Sequence, residues 1–175
     1  MGNPIKSFLL GKWLGHPLHP AIVHVPIALW VGSLVMDLLT LFGVGGNALV
    51  RTSFAALVIG LLSTALVIPA GIAEWTQIKR EKPAWKLALY HMLLNVVVTL
   101  LLVGSVLLRL GDQLRMEQVP LVAFTLNFFA NIVLGVSGYI GGRMVYDKGI
   151  AVARTSKKRW RGIAAAGNAN LPPEK

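Results

Sequence analysis

LALYHMLLNVVVTLLLVGSVLL, residues 87–108, is the stretch on which the fold turns. It runs for 22 residues without a charged side chain. At about 1.5 Å per residue, a helix of that length covers roughly 33 Å, enough to cross about 30 Å of hydrocarbon. Its apolar residues show no period-two alternation, and the run is longer than an ordinary strand. Three similar stretches complete the chain: Ala21 to Phe42, Ser53 to Ala73 and Val119 to Gly142. The connectors Gly43 to Asn47, Gln77 to Lys86 and Arg109 to Gln118 are short, so successive helices run antiparallel. No internal repeat and no second domain is visible. The first span lies too far from Met1, and is too long, for a cleavable signal peptide. The expected fold is all-α: an integral membrane antiparallel four-helix bundle over residues 1–152, both termini on one side, followed by a basic tail at 153–175.

Composition agrees with that reading. Of the 175 residues 55% are hydrophobic and 14% charged, and the mean hydropathy is +0.65. A soluble domain carries about a quarter charged residues. The lack of cysteine excludes disulfides, thiolate zinc sites, cysteine-held iron–sulfur clusters and covalently attached c-type haem. Despite its apolar character the chain has a formal net charge of +10. Topology assigns most of that charge to the face holding the N-terminus: Lys6, Lys12, Lys79, Arg80, Lys82, Lys86, Arg143, Lys148 and the tail from Arg154 to Lys175. The opposite face has Arg51, Arg109 and Arg115. Cationic loops stay inside, so the N-terminal face, and with it both termini, is expected in the cytoplasm. The run Arg154, Lys157, Lys158, Arg159 and Arg161, with Trp160 inside it, reads as an anchor for anionic lipid headgroups rather than a nucleic-acid site.

All four histidines fall in two windows, GHPLHPAIVHVPIALW at 15–30 and HMLLN at 91–95. Pro20 suits the first position of a helix, and Pro26 should kink the span it lies in. That places His16 and His19 in a stiff lead-in segment, with His24 about one turn inside the first span. His91 is about one turn inside the third, which crosses in the same direction. His24 and His91 are therefore expected to face each other at one depth. Glu74 closes the second span, Asn95 lies one turn below His91, and Arg143 follows the small-residue stretch Gly138, Gly141, Gly142, whose spacing suggests close helix packing. Asp37 is expected to snorkel to the opposite face or cap a neighbour. Asn127 and Asn131 are expected to make interhelical hydrogen bonds.

Polar groups at membrane depth are costly and usually functional. Three chemistries suit these histidines. Two imidazoles facing across helices, His24 or His19 on the entry side and His91 opposite, can ligate haem b, with Asn95 and Arg143 as further cofactor contacts. Copper, zinc or non-haem iron could be held by His16, His19, His24 and His91, joined by Glu74. Proton transfer is the third, since histidine titrates near neutral pH. No nucleophile–base pair or phosphate loop can be assembled, so an electron-transfer or accessory subunit is expected in preference to a stand-alone enzyme. Haem b leads, with a structural subunit of a larger complex as the contrasting reading.

His16-Pro17-Leu18-His19-Pro20, His91-Met92-Leu93-Leu94-Asn95 and Gly141-Gly142-Arg143-Met144-Val145-Tyr146 together resemble the pattern of a family of bacterial four-span membrane proteins of unknown function. The resemblance runs from about Gly15 to Val152, and the HPLHP element is its most specific part. It carries over His16, His19 and His91. Some relatives join this domain to Rieske or c-type cytochrome domains. The resemblance thus implies the bacterial cytoplasmic (inner) membrane, membrane electron transfer and redox or membrane-complex partner proteins.

Overall fold

Each of the four apolar stretches is a helix, and each is long and apolar enough to cross a membrane. The structure, a computed structural model, describes residues 3–111, 115–150, 152, 164, 166 and 167. The basic run at 154–161 lies outside the described residues. A short helix α1 (Pro4–Leu9) comes first, capped by Asn3, whose Oδ1 accepts the Ile5 N–H at 2.9 Å. Pro26 shapes the first span. Without an N–H it cannot bond the Ile22 carbonyl, and the span divides at Val23 into α2 (Leu18–Ile22) and α3 (His24–Leu41). Helix α2 starts from Pro17 as its N-cap, so Pro20 is its third residue rather than its first, and His19 is helical. The other spans are α4 (Gly46–Trp75), α5 (Pro83–Leu107) and α6 (Leu121–Tyr146). Helix α4 begins seven residues earlier than hydropathy suggests. There Gly45 takes φ 76°, and Glu117 from the opposite connector accepts the Asn47 N–H at 3.1 Å.

Helices α3 and α4 form one close hairpin and α5 and α6 another, while the α4–α5 and α3–α6 seams are thinner. Trp30, Leu57, Val98, Leu102, Ala130 and Leu134 fill the middle of the bundle. The Trp30 indole lies against Gly60, where a Cβ would stand 2.4 Å from Nε1. The glycines ending α6 do less packing than their spacing suggests. A Cβ at Gly138 would meet nothing within 4 Å, and one at Gly142 would touch only Tyr146 of its own helix.

At the end away from the N-terminus the bundle closes on charge. Asp37 does not snorkel, and Arg109 does not sit in a solvated connector. Both are fully buried, and they pair with each other. The guanidinium grips the carboxylate with both arms, Nη1 to Oδ1 at 2.8 Å and Nη2 to Oδ2 at 2.6 Å. Ser53 donates to Asp37 Oδ1, Asn127 donates to Oδ2 at 2.7 Å, and Ser105 Oγ accepts from Arg109 Nη2 at 3.0 Å. Ser33 Oγ accepts from Asn127 at 3.1 Å, and Asn131 donates to Asn127 Oδ1 at 2.9 Å. All four spans are thereby tied together. A charge within hydrocarbon persists only with such a partner; of the guanidinium nitrogens, Nε is buried without an acceptor. Arg109 therefore leaves the exposed charge of that face, which keeps Arg51 and Arg115.

Candidate functional site

His19 and His91 meet at the other end of the bundle. Their ring centroids are 6.4 Å apart and their planes 88° to each other. One device holds both. His19 Nδ1 donates to the Val67 carbonyl on α4 at 3.0 Å, and His91 Nδ1 donates to the Ser137 carbonyl on α6 at 2.9 Å. A carbonyl only accepts, which favours the tautomer with the proton on Nδ1 and a lone pair on Nε2 in both rings, while the Ser137 hydroxyl also stands 2.9 Å from His91 Nδ1. One turn beyond each accepting carbonyl stands a glycine. A Cβ at Gly71 would lie 2.9 Å from His19 Nδ1, and one at Gly141 would lie 3.3 Å from His91 Cε1. The absent side chains are what let the imidazoles reach the backbone.

A repeat not visible in the sequence underlies this symmetry. Asp37 lies 18 residues after His19, and Arg109 lies 18 residues after His91. Ser33 and Ser105 each stand four residues before the charged member. Eighteen residues would make five turns and about 27 Å in an unbroken helix, so each histidine and its charged counterpart mark opposite ends of one span. Spans one and two correspond to spans three and four at these contacts, as parallel repeats do in other membrane bundles. The match is hidden because Asp answers Arg and Val67 answers Ser137.

The histidine pair borders a cavity of about 240 Å³ in the α4–α5 seam. Its walls are mainly apolar, and its mouth lies where Ile68, Ile72, Val96 and Leu100 are exposed on the membrane side. Glu74 lines it, and Glu74 Oε1 accepts the His19 N–H at 3.3 Å in the first turn of α2. Asn95 also lines it. Its Nδ2 donates to Ser137 Oγ at 2.7 Å and to the His91 carbonyl at 2.8 Å. The same amide nitrogen lies 3.2 Å from His91 Nε2, so Asn95 faces that lone pair across the cavity wall. The Trp75 indole N–H, on the same wall, is buried without an acceptor.

The other candidate residues fall elsewhere. His16 is exposed ahead of α2 and does not line the cavity. His24 is exposed at the start of α3 and is also absent from the lining. His19, rather than His24, faces His91, because α2 begins at Leu18 and Pro26 divides the span. Arg143 is 45% exposed and pairs with Asp147 at 3.0 Å, away from the cavity. Among the described residues no three His, Asp or Glu side chains stand close enough to hold one metal ion. A copper, zinc or non-haem-iron centre with three or four protein ligands is therefore not preformed. The carbonyls of Val67 and Ser137 are the functional groups that sequence reasoning missed. Their only sequence signal is a glycine one turn later.

Four membrane-length helices, an ion pair closing one end and a histidine-bordered cavity at the other define a four-span integral membrane protein. The chain belongs to the family described as predicted membrane protein (DUF2231), whose model matches residues 15–154. Comparison with curated proteins and with solved structures returned no match.

Proposed function

We propose that this chain is a cytochrome b-like redox subunit that binds haem b through His19 and His91. One observation carries the reading. Two neutral imidazoles, each with Nδ1–H given to a carbonyl of the neighbouring helix, keep their Nε2 lone pairs beside a single cavity. Metal-ligating histidines have this tautomer and this kind of support. Haem, when bound, supplies reversible one-electron transfer. The chain's own residues do the rest. Val67 and Ser137 fix the rings, Gly71 and Gly141 keep the approach open, and Glu74 steadies the backbone of His19. Apolar walls keep water from the pair and so bear on its potential.

The resemblance to relatives joined to Rieske or c-type cytochrome domains supports a protein partner for electron exchange. The excess of lysine and arginine on the N-terminal face supports a bacterial cytoplasmic membrane location with both termini inside, and burial of Arg109 sharpens that asymmetry.

The test is a visible spectrum of protein purified from haem-sufficient cells, oxidised and then reduced. A low-spin bis-histidine spectrum with about one haem per chain is expected. Absence of a Soret band and of iron in folded protein overturns the reading.

A further inference from the structure

The α4–α5 connector holds a second pocket, of about 330 Å³, at the level where the N-terminal face meets the membrane. Trp75, Ile78, Lys79, Arg80 and Trp85 line it. The two indoles pack against each other with centroids 5.2 Å apart, and the Arg80 guanidinium lies 6.0 Å from the Trp85 ring centre. Lys79 and Arg80 are exposed, and among the described residues neither pairs with a carboxylate. Helix α5 starts beside them with no acidic residue in its first turn and no side-chain cap, and Lys82 and Lys86 flank that start. Four cations and one carboxylate, Glu81, gather at the positive end of a helix dipole there, and the excess positive charge is what an external anion relieves. Trp75 and Ile78 also line the apolar cavity of the α4–α5 seam, so the two spaces adjoin. The buried Trp75 N–H without an acceptor lies at their junction.

We infer that this pocket is a binding site for an anionic phospholipid. Its phosphate takes hydrogen bonds and charge from Lys79, Arg80 and the Trp75 N–H. One acyl chain follows the exposed Ile72 and Ile68 along the mouth of the seam. Interfacial tryptophan beside lysine and arginine suits a headgroup, and an apolar groove running inward from it suits a chain. A soluble anion has no use for that groove. The headgroup site is built from residues 75–80 and 85 and uses neither histidine, so its test is independent of haem binding.

The experiment is native mass spectrometry of the full chain released from micelles containing dioleoylphosphatidylglycerol or dioleoylphosphatidylcholine. Wild-type protein is expected to retain the glycerol lipid in preference. The Lys79→Gln/Arg80→Gln variant should retain it roughly thirtyfold less, the ratio two interfacial cations supply. A Lys6→Gln/Lys12→Gln control, with equal charge loss on the same face, should retain it as wild type does. Equal loss in both variants, or no preference in wild type, overturns the proposal. So does full displacement by millimolar inorganic phosphate, which would make this a phosphate site. Helicity by circular dichroism confirms that each variant is folded.

Discussion

Asp37→Ala is expected to destabilise the bundle by about 3–5 kcal/mol, the cost of leaving a buried guanidinium without its counter-charge. Arg109 is fully buried, and its two arms end on Asp37 and on the hydroxyls of Ser53 and Ser105. Removing the carboxylate leaves neutral hydroxyls to support a full positive charge. Arg109→Ala should cost a similar amount, since it strands the carboxylate against Ser53 and Asn127. The double variant Asp37→Ala/Arg109→Ala should lose clearly less than the sum of the single losses, because neither charge is then left alone. Equilibrium unfolding in mixed micelles measures all three. A loss below about 1 kcal/mol for Asp37→Ala, the range of an exposed pair, would show that the pair does not hold the bundle together. The pair is not thereby the most stabilising arrangement possible, since a well-packed apolar substitute can match it. What it adds is register: a bidentate contact fixes α3 and α5 at one height.

Haem retention is expected to follow a graded order across the histidine end. His91→Ala and His19→Ala each remove a proposed ligand and should abolish the bis-histidine spectrum. Gly71→Ala removes no ligand. Its methyl would stand 2.9 Å from His19 Nδ1 and push the ring off the Val67 carbonyl, so affinity should fall by roughly 10–100-fold, the loss typical of a supporting bond. His16→Ala and His24→Ala should bind as wild type does, since neither residue lines the cavity. A haem titration of each purified variant reads the order. Equal effects of His24→Ala and His91→Ala would remove the pairing on which the function rests. NMR of the ring nitrogens gives a second readout free of haem. Wild type should show the Nδ1-protonated tautomer at both His19 and His91, and Gly71→Ala should alter only the former.

Much of this molecule could be read from its residues. The four spans, the shared side of the termini and the convergence of histidines at one end all follow from apolar length and connector count. Asn127 makes the interhelical bonds expected of it, to Ser33 and Asp37, whereas Asn131 bonds chiefly to Asn127 within α6 and reaches the Trp30 carbonyl across helices at 3.5 Å. The partners of the charges could not be read in the same way. Asp37 and Arg109 are 72 residues apart in the chain, and Arg109 stands just beyond α5, where hydropathy marks a connector. The 18-residue spacing that relates each of them to a histidine was present all along. It carries meaning only once the two helices are known to lie parallel and in register.

Membrane partition sums over side chains one by one, so the existence and number of the apolar helices were settled by composition along the chain. Pairing depends instead on helix phase, where a shift of one residue turns a side chain by about 100°. That is why the start of α2 at Leu18 and the break before Pro26 put His19, and not His24, opposite His91. The supporting carbonyls of Val67 and Ser137 belong to the backbone, which is the same at every residue. Only the packed helices, with glycine opening the way at 71 and 141, select those two.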